Sequence, residues 1–363
     1  MLRKDLKTLI YFFVQITAAW TFAWIIFYFL RQYGIEEYPY VTFSRLPDWS
    51  AQLATHIGVG LLSGLLYGIT ELVFERPYFQ RHSYGRLILI KTLIYFIIAV
   101  VLMSAAVLIL QRVLFGVILW AKVSTWLVSA NFLVALFYFL CISILISLFR
   151  QMNYKFGPEV LRNMLIGKYH RPREEMRIFM FLDLQASTTI AEQLGHIRFS
   201  RLLQDCFFDL TEPVLRHRAE IYQYVGDEAV LCWPVKGGFK NNHCLHCYFD
   251  FLDRLEERAD YYQAKYGLLP FFKAGVHYGQ VTVAEVGVIK KEIAYHGDVL
   301  NTAARIQGRC NVLEQSLLVS GDLMRGLPSY TASFDIQPMD NLILKGKRET
   351  TEICGVKKRE DGK

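Results

Sequence analysis

The stretch Arg177-Ile178-Phe179-Met180-Phe181-Leu182-Asp183-Leu184-Gln185-Ala186-Ser187-Thr188-Thr189 decides the fold of the C-terminal half. Its first half is a continuous apolar run rich in aromatic and branched residues, the pattern of a strand buried on both faces. Asp183 interrupts the run near its end, and an ionised carboxylate is costly to bury unless it is paired or coordinates a metal. Small and hydroxyl residues follow, Ala186 to Thr189, and then a helical pattern, IAEQLGHIRFSRLLQDCFFDL. A strand end, a carboxylate and a hydroxyl-rich helix start make a place for a cation and for phosphate groups. Helix-start amides and the positive dipole end favour an anion, while the acid holds the cation. Taken singly, Asp183 reads equally as a helix cap.

Outward from this stretch the pattern alternates. A strand over 177–184 precedes a helix to about Arg216. Then come a hairpin-like pair, 219–224 and 229–233, a long helix over 242–266, strands over 271–277 and 281–286, and a helix over 298–309. That order predicts an α+β domain with helices packed on a mainly antiparallel sheet. A second carboxylate, Asp227, sits in the turn Val225-Gly226-Asp227-Glu228. If its strand neighbours that of Asp183, the two acids converge, and two carboxylates with phosphate oxygens suit divalent ions. Asn301 and Arg305 lie four residues apart on one helix face, an amide and a guanidinium suited to ribose or phosphate oxygens, or else a plain polar face. Lys345 in Leu344-Lys345-Gly346-Lys347 is a lysine on a turn.

The N-terminal half reads differently. Hydrophobic residues make up 53% of the 363, and the excess precedes residue 150. Crossing a bilayer takes about 20 apolar residues in a helix. Four windows qualify, about 9–30, 53–74, 87–110 and 127–149, so residues 1–149 are expected to be a transmembrane four-helix bundle in a lipid bilayer. The first is too long, and lacks the cleavage site, for a signal peptide. Arg3, Lys4, Lys7, Arg76, Arg81, Arg86, Arg150 and Lys155 outweigh the basic residues on the other side. That predicts a multi-pass cell-membrane protein with both termini and the C-terminal domain cytoplasmic. Gly60, Gly64 and Gly68 form a small-residue stripe permitting close helix contact, within one chain or between two. His56 reads as a packed residue. Residues 150–175 form a helical connector, with Pro158 opening a helix to Ile166. The net charge of +7 shows no compact basic cluster with aromatics, so no nucleic-acid partner is expected. Seven scattered cysteines fit reduced thiols. His243-Cys244-Leu245-His246-Cys247 has half a zinc site's residues but no second pair at finger-like spacing.

The C-terminal elements together resemble the class III nucleotide cyclases. FLDLQASTT resembles their first metal-binding motif, and YQYVGDEAV the second, with the acids 44 residues apart. AGVHYGQVTVAEVG, YHGDVLNTAARIQ and LKGK are similar to three further family segments. The resemblance covers residues 176–358. It implies a ferredoxin-like catalytic domain working as a head-to-tail homodimer with two shared sites. Asp183 and Asp227, with the Leu184 carbonyl, would bind two Mg²⁺ or Mn²⁺ per site, and Gln185, Ala186, Ser187 and Thr188 would cradle phosphates. Asn301 would place the ribose, Arg305 would stabilise the reacting phosphate, and Lys345 would reach the terminal phosphates. The nucleoside triphosphate would be ATP by family frequency, with GTP the alternative. At the base-reading positions Gln223 and Ala294 depart from both usual pairs, and an amide both donates and accepts. A catalytically silent dimeric signalling module is the competing reading.

Overall fold

The computed structural model describes residues 6–34, 49–74, 83–115, 125, 128–156, 158–327, 333–339, 342–343 and 350–359. The chain forms two compact units, Met1–Phe156 and Gly157–Lys363.

The first unit contains four long helices, α1 (Leu6–Gly34), α2 (Trp49–Phe74), α3 (Tyr84–Phe115) and α4 (Ala130–Phe156). Each carries a stretch long and apolar enough to cross a membrane: Leu9–Leu30, Leu53–Phe74, Gly85–Ala105 and Phe132–Asn153. The last two are displaced a few residues from the sequence windows, and residue 127 lies outside the described residues. The four helices share an aromatic core in which Trp20 stacks on Tyr67 at 3.8 Å between ring centroids. The glycine stripe packs within the chain. A Cβ at Gly60 would lie 2.7 Å from the Thr21 Cα of α1, and one at Gly64 would lie 2.4 Å from the Thr17 Cα. Close approach at these positions therefore depends on a missing side chain. His56 sits among the rings of Trp24, Phe27 and Tyr28. Glu71 is buried and pairs with Lys91 Nζ at 2.8 Å and Arg150 Nε at 3.3 Å, as charges out of water must.

The second unit opens with α5 (Pro158–Leu165), which ends at Gly167 in the left-handed region, φ +64°. Then come β1 (Arg173–Leu184), α6 (Ser187–Arg216), β2 (Glu220–Val225), β3 (Glu228–Pro234), α7 (Val235–Phe239), α8 (His243–Glu257) and α9 (Ala259–Tyr266). They are followed by β4 (Phe272–Val286), β5 (Glu292–His296), α10 (Asp298–Gln307), β6 (Leu317–Ser320), α11 (Gly321–Gly326), β7 (Phe334–Pro338), β8 (Leu342–Ile343), β9 (Thr350–Thr351) and β10 (Ile353–Lys358). The main sheet runs β2-β3-β1-β4-β6-β10-β7, with β5 on β4. Its pairings are antiparallel except β4 with β6.

Strand alternation gives the sheet two apolar faces. Ile178, Met180, Leu182 and Leu184 meet Leu202, Cys206 and Leu210 of α6 and Cys244, Tyr248 and Phe251 of α8. Phe179, Phe181, Val230 and Cys232 face Val299 and Ala303 of α10. Cys244 and Cys247 thus serve the core, and burial pushes the Cys244 thiol up to about 12.

Three sequence expectations are corrected. The break expected at Tyr278-Gly279-Gln280 is absent, and β4 runs through it unbroken. Gly279 instead makes room for α10, since a Cβ there would lie 2.8 Å from Val299 Cγ2. β1 begins at Arg173 rather than Arg177, because residues 173–176 pair with the extended β4. The long helix breaks at Arg258 (φ −109°), whose guanidinium reaches Asp209 at 2.5 Å.

Candidate active site

β1 lies between β3 and β4, so Asp183 is flanked in register by Glu228 and by Lys273. The β2–β3 turn passes through Gly226 at φ +64°, a conformation glycine adopts without strain, and brings Asp227 beside Asp183. Three carboxylates from two adjacent strands and their turn therefore crowd one sheet end. Burial first, then the Asp227 carboxylate, pushes Asp183 up to about 6, while a hydrogen bond from Gln307 Nε2 at 3.1 Å opposes the shift. Burial and the two neighbouring acids raise Glu228 to about 7. Among the described residues neither Asp183 nor Asp227 has a lysine or arginine at ion-pair distance, and no group of three or more His, Cys, Asp or Glu is set to enclose a metal by itself.

Beyond Asp183 the chain turns sharply. The Gln185 amide donates to Phe271 O at 2.9 Å, and Ala186 takes the left-handed conformation, φ 56°. A non-glycine residue held there is strained by roughly 1–3 kcal/mol, and such strain gathers at functional loops. Ala186 occupies the N-cap of α6 and has no side-chain oxygen, so α6 begins without a side-chain cap. Its first-turn amides are left for another acceptor. A cleft of about 210 Å³ opens here, lined by Asp183 to Thr188 on one side and by Lys273, Gln307 and Asn311 on the other. Lys273 Nζ donates to Asn311 Oδ1 at 2.7 Å, which keeps a cation in the lining that also holds Asp183.

Among the described residues, Asn301, Arg305, Gln223 and Ala294 do not line this cleft. α10 buries Val299, Thr302, Ala303 and Ile306 against the sheet, which leaves Asn301 exposed and Arg305 half-exposed. Gln223 is exposed on β2, after a register shift between Ile221 and Gln223. Ala294 lies on β5 opposite Ala284. Lys345 falls outside the described residues. Conversely, Glu228, Lys273, Gln307 and Asn311 escaped the sequence reading. Glu228 and Gln307 sit inside segments quoted above, but only strand register and helix docking bring them to Asp183.

Comparison with known proteins follows the same division of the chain. Residues 169–354 match the family described as the adenylate and guanylate cyclase catalytic domain. The chain is 35% identical over 288 residues to adenylate cyclase 2 of Rhizobium meliloti (strain 1021), covering 77% of this chain and 78% of that protein. That span exceeds the C-terminal unit, so the likeness reaches into the apolar helices. It is 24% identical over 205 residues to an adenylate cyclase of Anabaena cylindrica, covering 55% of this chain and 40% of that one. The fold matches a bacterial light-regulated adenylyl cyclase with a TM-score of 0.51 at 18% identity, over 60% of this chain and 62% of that structure. With a family match over half its length and a 35%-identical relative matched over about three quarters of both chains, the chain belongs to the adenylate and guanylate cyclase catalytic domain family.

Proposed function

We propose that the protein is a membrane-anchored adenylate cyclase that converts ATP to 3′,5′-cyclic AMP and pyrophosphate in pockets shared by two copies of the chain. The observation that carries this reading is the convergence of Asp183, Asp227 and Glu228 at one sheet end, where Asp183 lines a cleft at the start of α6. Carboxylates crowded at a half-buried sheet end fit divalent cations, which relieve the repulsion that raises Asp183. Asp183 and Asp227, with the Leu184 carbonyl, would hold two Mg²⁺ or Mn²⁺, and the chemistry supplied there would be activation of the 3′-hydroxyl and neutralisation of phosphate charge.

The chain's own groups do the rest. Residues Gln185–Thr188 and the α6 amides take the β and γ phosphates, and Lys273 adds a cation on the far wall. Asn301 and Arg305 do not line their own chain's cleft, which fits a role in the pocket of a second copy. There Asn301 orients the ribose and Arg305 stabilises charge building on the α-phosphate. Lys345 reaches the terminal phosphates. The Gln223 amide reads the purine edge, beside the small Ala294. ATP is preferred because the 35%-identical relative is an adenylate cyclase. The four apolar helices anchor the protein in the cell membrane with both termini cytoplasmic, and the bundle regulates turnover through α5 and the connector.

The test is the full chain in lipid nanodiscs with MnATP and, separately, MnGTP. Cyclic AMP and pyrophosphate are expected from MnATP and should vanish in Asp227→Ala. Mixing Asp183→Ala chains with Arg305→Ala chains should restore activity, since one complete pocket forms. Turnover of GTP alone would change the substrate. Turnover of neither nucleotide would leave a silent signalling module.

A further inference from the structure

We propose that Gln307 is a positioning residue that holds Asp183 in place and makes α10 a physical link between the two pockets of the dimer. This inference rests on the shared-pocket reading above. The Gln307 side-chain amide donates to Asp183 Oδ2 at 3.1 Å, from an adjacent helix rather than from the strand that bears the acid. The contact has little slack. A Cβ at Gly275 would lie 2.2 Å from the Gln307 backbone nitrogen and 2.6 Å from Ala303 O, so the end of α10 rests directly on β4. Gly275 pairs with Phe181, two residues before Asp183. Helix end, strand and acid are thus one packed unit.

The chemistry of the donor matters. A lysine or arginine at 307 would neutralise the carboxylate and repel a divalent ion. An uncharged amide fixes one carboxylate oxygen and leaves the acid's charge for the cation. Partners of this kind set the orientation of ligating carboxylates, and their loss typically weakens metal binding about 10- to 100-fold.

Asn301 and Arg305 lie on the same ten-residue helix, within about 9 Å of Gln307 along the axis. One end of α10 therefore steadies the acid of its own chain, while residues further along serve the partner's reacting phosphate. A shift of α10 changes both pockets together.

The experiment uses the full chain in nanodiscs with a non-cyclisable ATP analogue, and follows Mn²⁺ binding through the EPR signal of the free ion. Gln307→Leu, and Gln307→Met as a second side chain without a donor, should weaken Mn²⁺ binding about tenfold. The nucleotide KM at saturating Mn²⁺ should change less than twofold. In mixed dimers of Asp183→Ala and Arg305→Ala chains, Gln307→Leu should raise the Mn²⁺ requirement only on the Arg305→Ala chain, whose Asp183 serves the complete pocket. Wild-type Mn²⁺ binding by both Gln307 variants, or an effect that follows the other chain, overturns the proposal. If the mixed dimers recover no activity, the shared-pocket reading and the link between pockets fall. The EPR titration then still decides whether Gln307 holds Asp183.

Discussion

Acids in this chain meet two opposite environments, one found in both units and one confined to the Asp183 end of the sheet. Among the apolar helices Glu71 is 2% exposed and meets Lys91, Arg150 and the Tyr95 hydroxyl. The cyclase unit builds its structural acids the same way. Asp209 receives Arg258 at 2.5 Å and the Tyr262 hydroxyl at 2.6 Å. Burial pushes Asp205 up, but Lys265, Tyr266 and Tyr261 outweigh it and hold the acid below its ordinary range. Asp183, Asp227 and Glu228 follow the other pattern, in which carboxylates neighbour carboxylates and one amide bonds Asp183. Among the described residues the structural acids have cation partners and these three have none at ion-pair distance, which leaves repulsion that a bound cation would relieve.

The largest effect that can break this contrast is in turnover. Asp183→Asn removes repulsion and a proposed metal ligand together. Cyclic product formation should fall on the order of 10³-fold, while the melting temperature of the metal-free protein holds or rises. A fall in melting temperature comparable to that of a structural acid would erase the distinction.

Asp209→Asn should do the reverse. It leaves Arg258 half-buried without its counter-charge and should cost about 3 kcal/mol in denaturant unfolding, with the metal requirement unchanged. Unaltered stability would mean that Asp209 is not a structural acid in this sense.

A smaller effect lies in the apolar unit. Gly64→Val places a side chain against Thr17 of α1 and should cost roughly 1–3 kcal/mol by forcing α1 and α2 apart. Gly58→Val, where a Cβ meets nothing within 4 Å, is the control. Both are measurable by SDS titration in mixed micelles, and equal losses would show that the stripe does not set the contact.

The smallest effect is the dependence of stability on pH. Asp183 at about 6 and Glu228 at about 7 bind protons more tightly in the folded chain than in the unfolded one. Between about pH 4 and 7 their contribution therefore falls as pH rises. Asp250, lowered to about 2 although burial opposes this, is held down by hydrogen bonds from His217 and Arg216. Its contribution is present above about pH 4 and is lost as pH falls toward 2. Thermal melts of metal-free Asp183→Asn and Glu228→Gln should be flatter between pH 5 and 7 than those of the parent. Parallel curves would remove the electrostatic half of the contrast.

Much of the architecture was legible in residue order. Apolar windows located the four long helices, and the aromatic run ending in Asp183 located the central strand. Two features misled. Residues 278–280 fell between two expected strands, whereas one strand runs through them and Gly279 makes room for Val299 of α10. The helical pattern over 242–266 hid the break at Arg258, which serves a charge pairing with Asp209. The glycine stripe announced a close contact but could not name α1 as its partner.

By itself the sequence determined which segments are apolar enough to lie in a bilayer, which motifs resemble those of the cyclase family, and the order in which they come. Those properties are written in local periodicity and residue type. Only the tertiary structure decided that Glu228 and Lys273 flank Asp183, that Gln307 holds it, and that Asn301 and Arg305 lie outside their own chain's cleft. Strand register and helix docking are contacts between residues tens of positions apart, and their free energy comes from packing that no local pattern encodes.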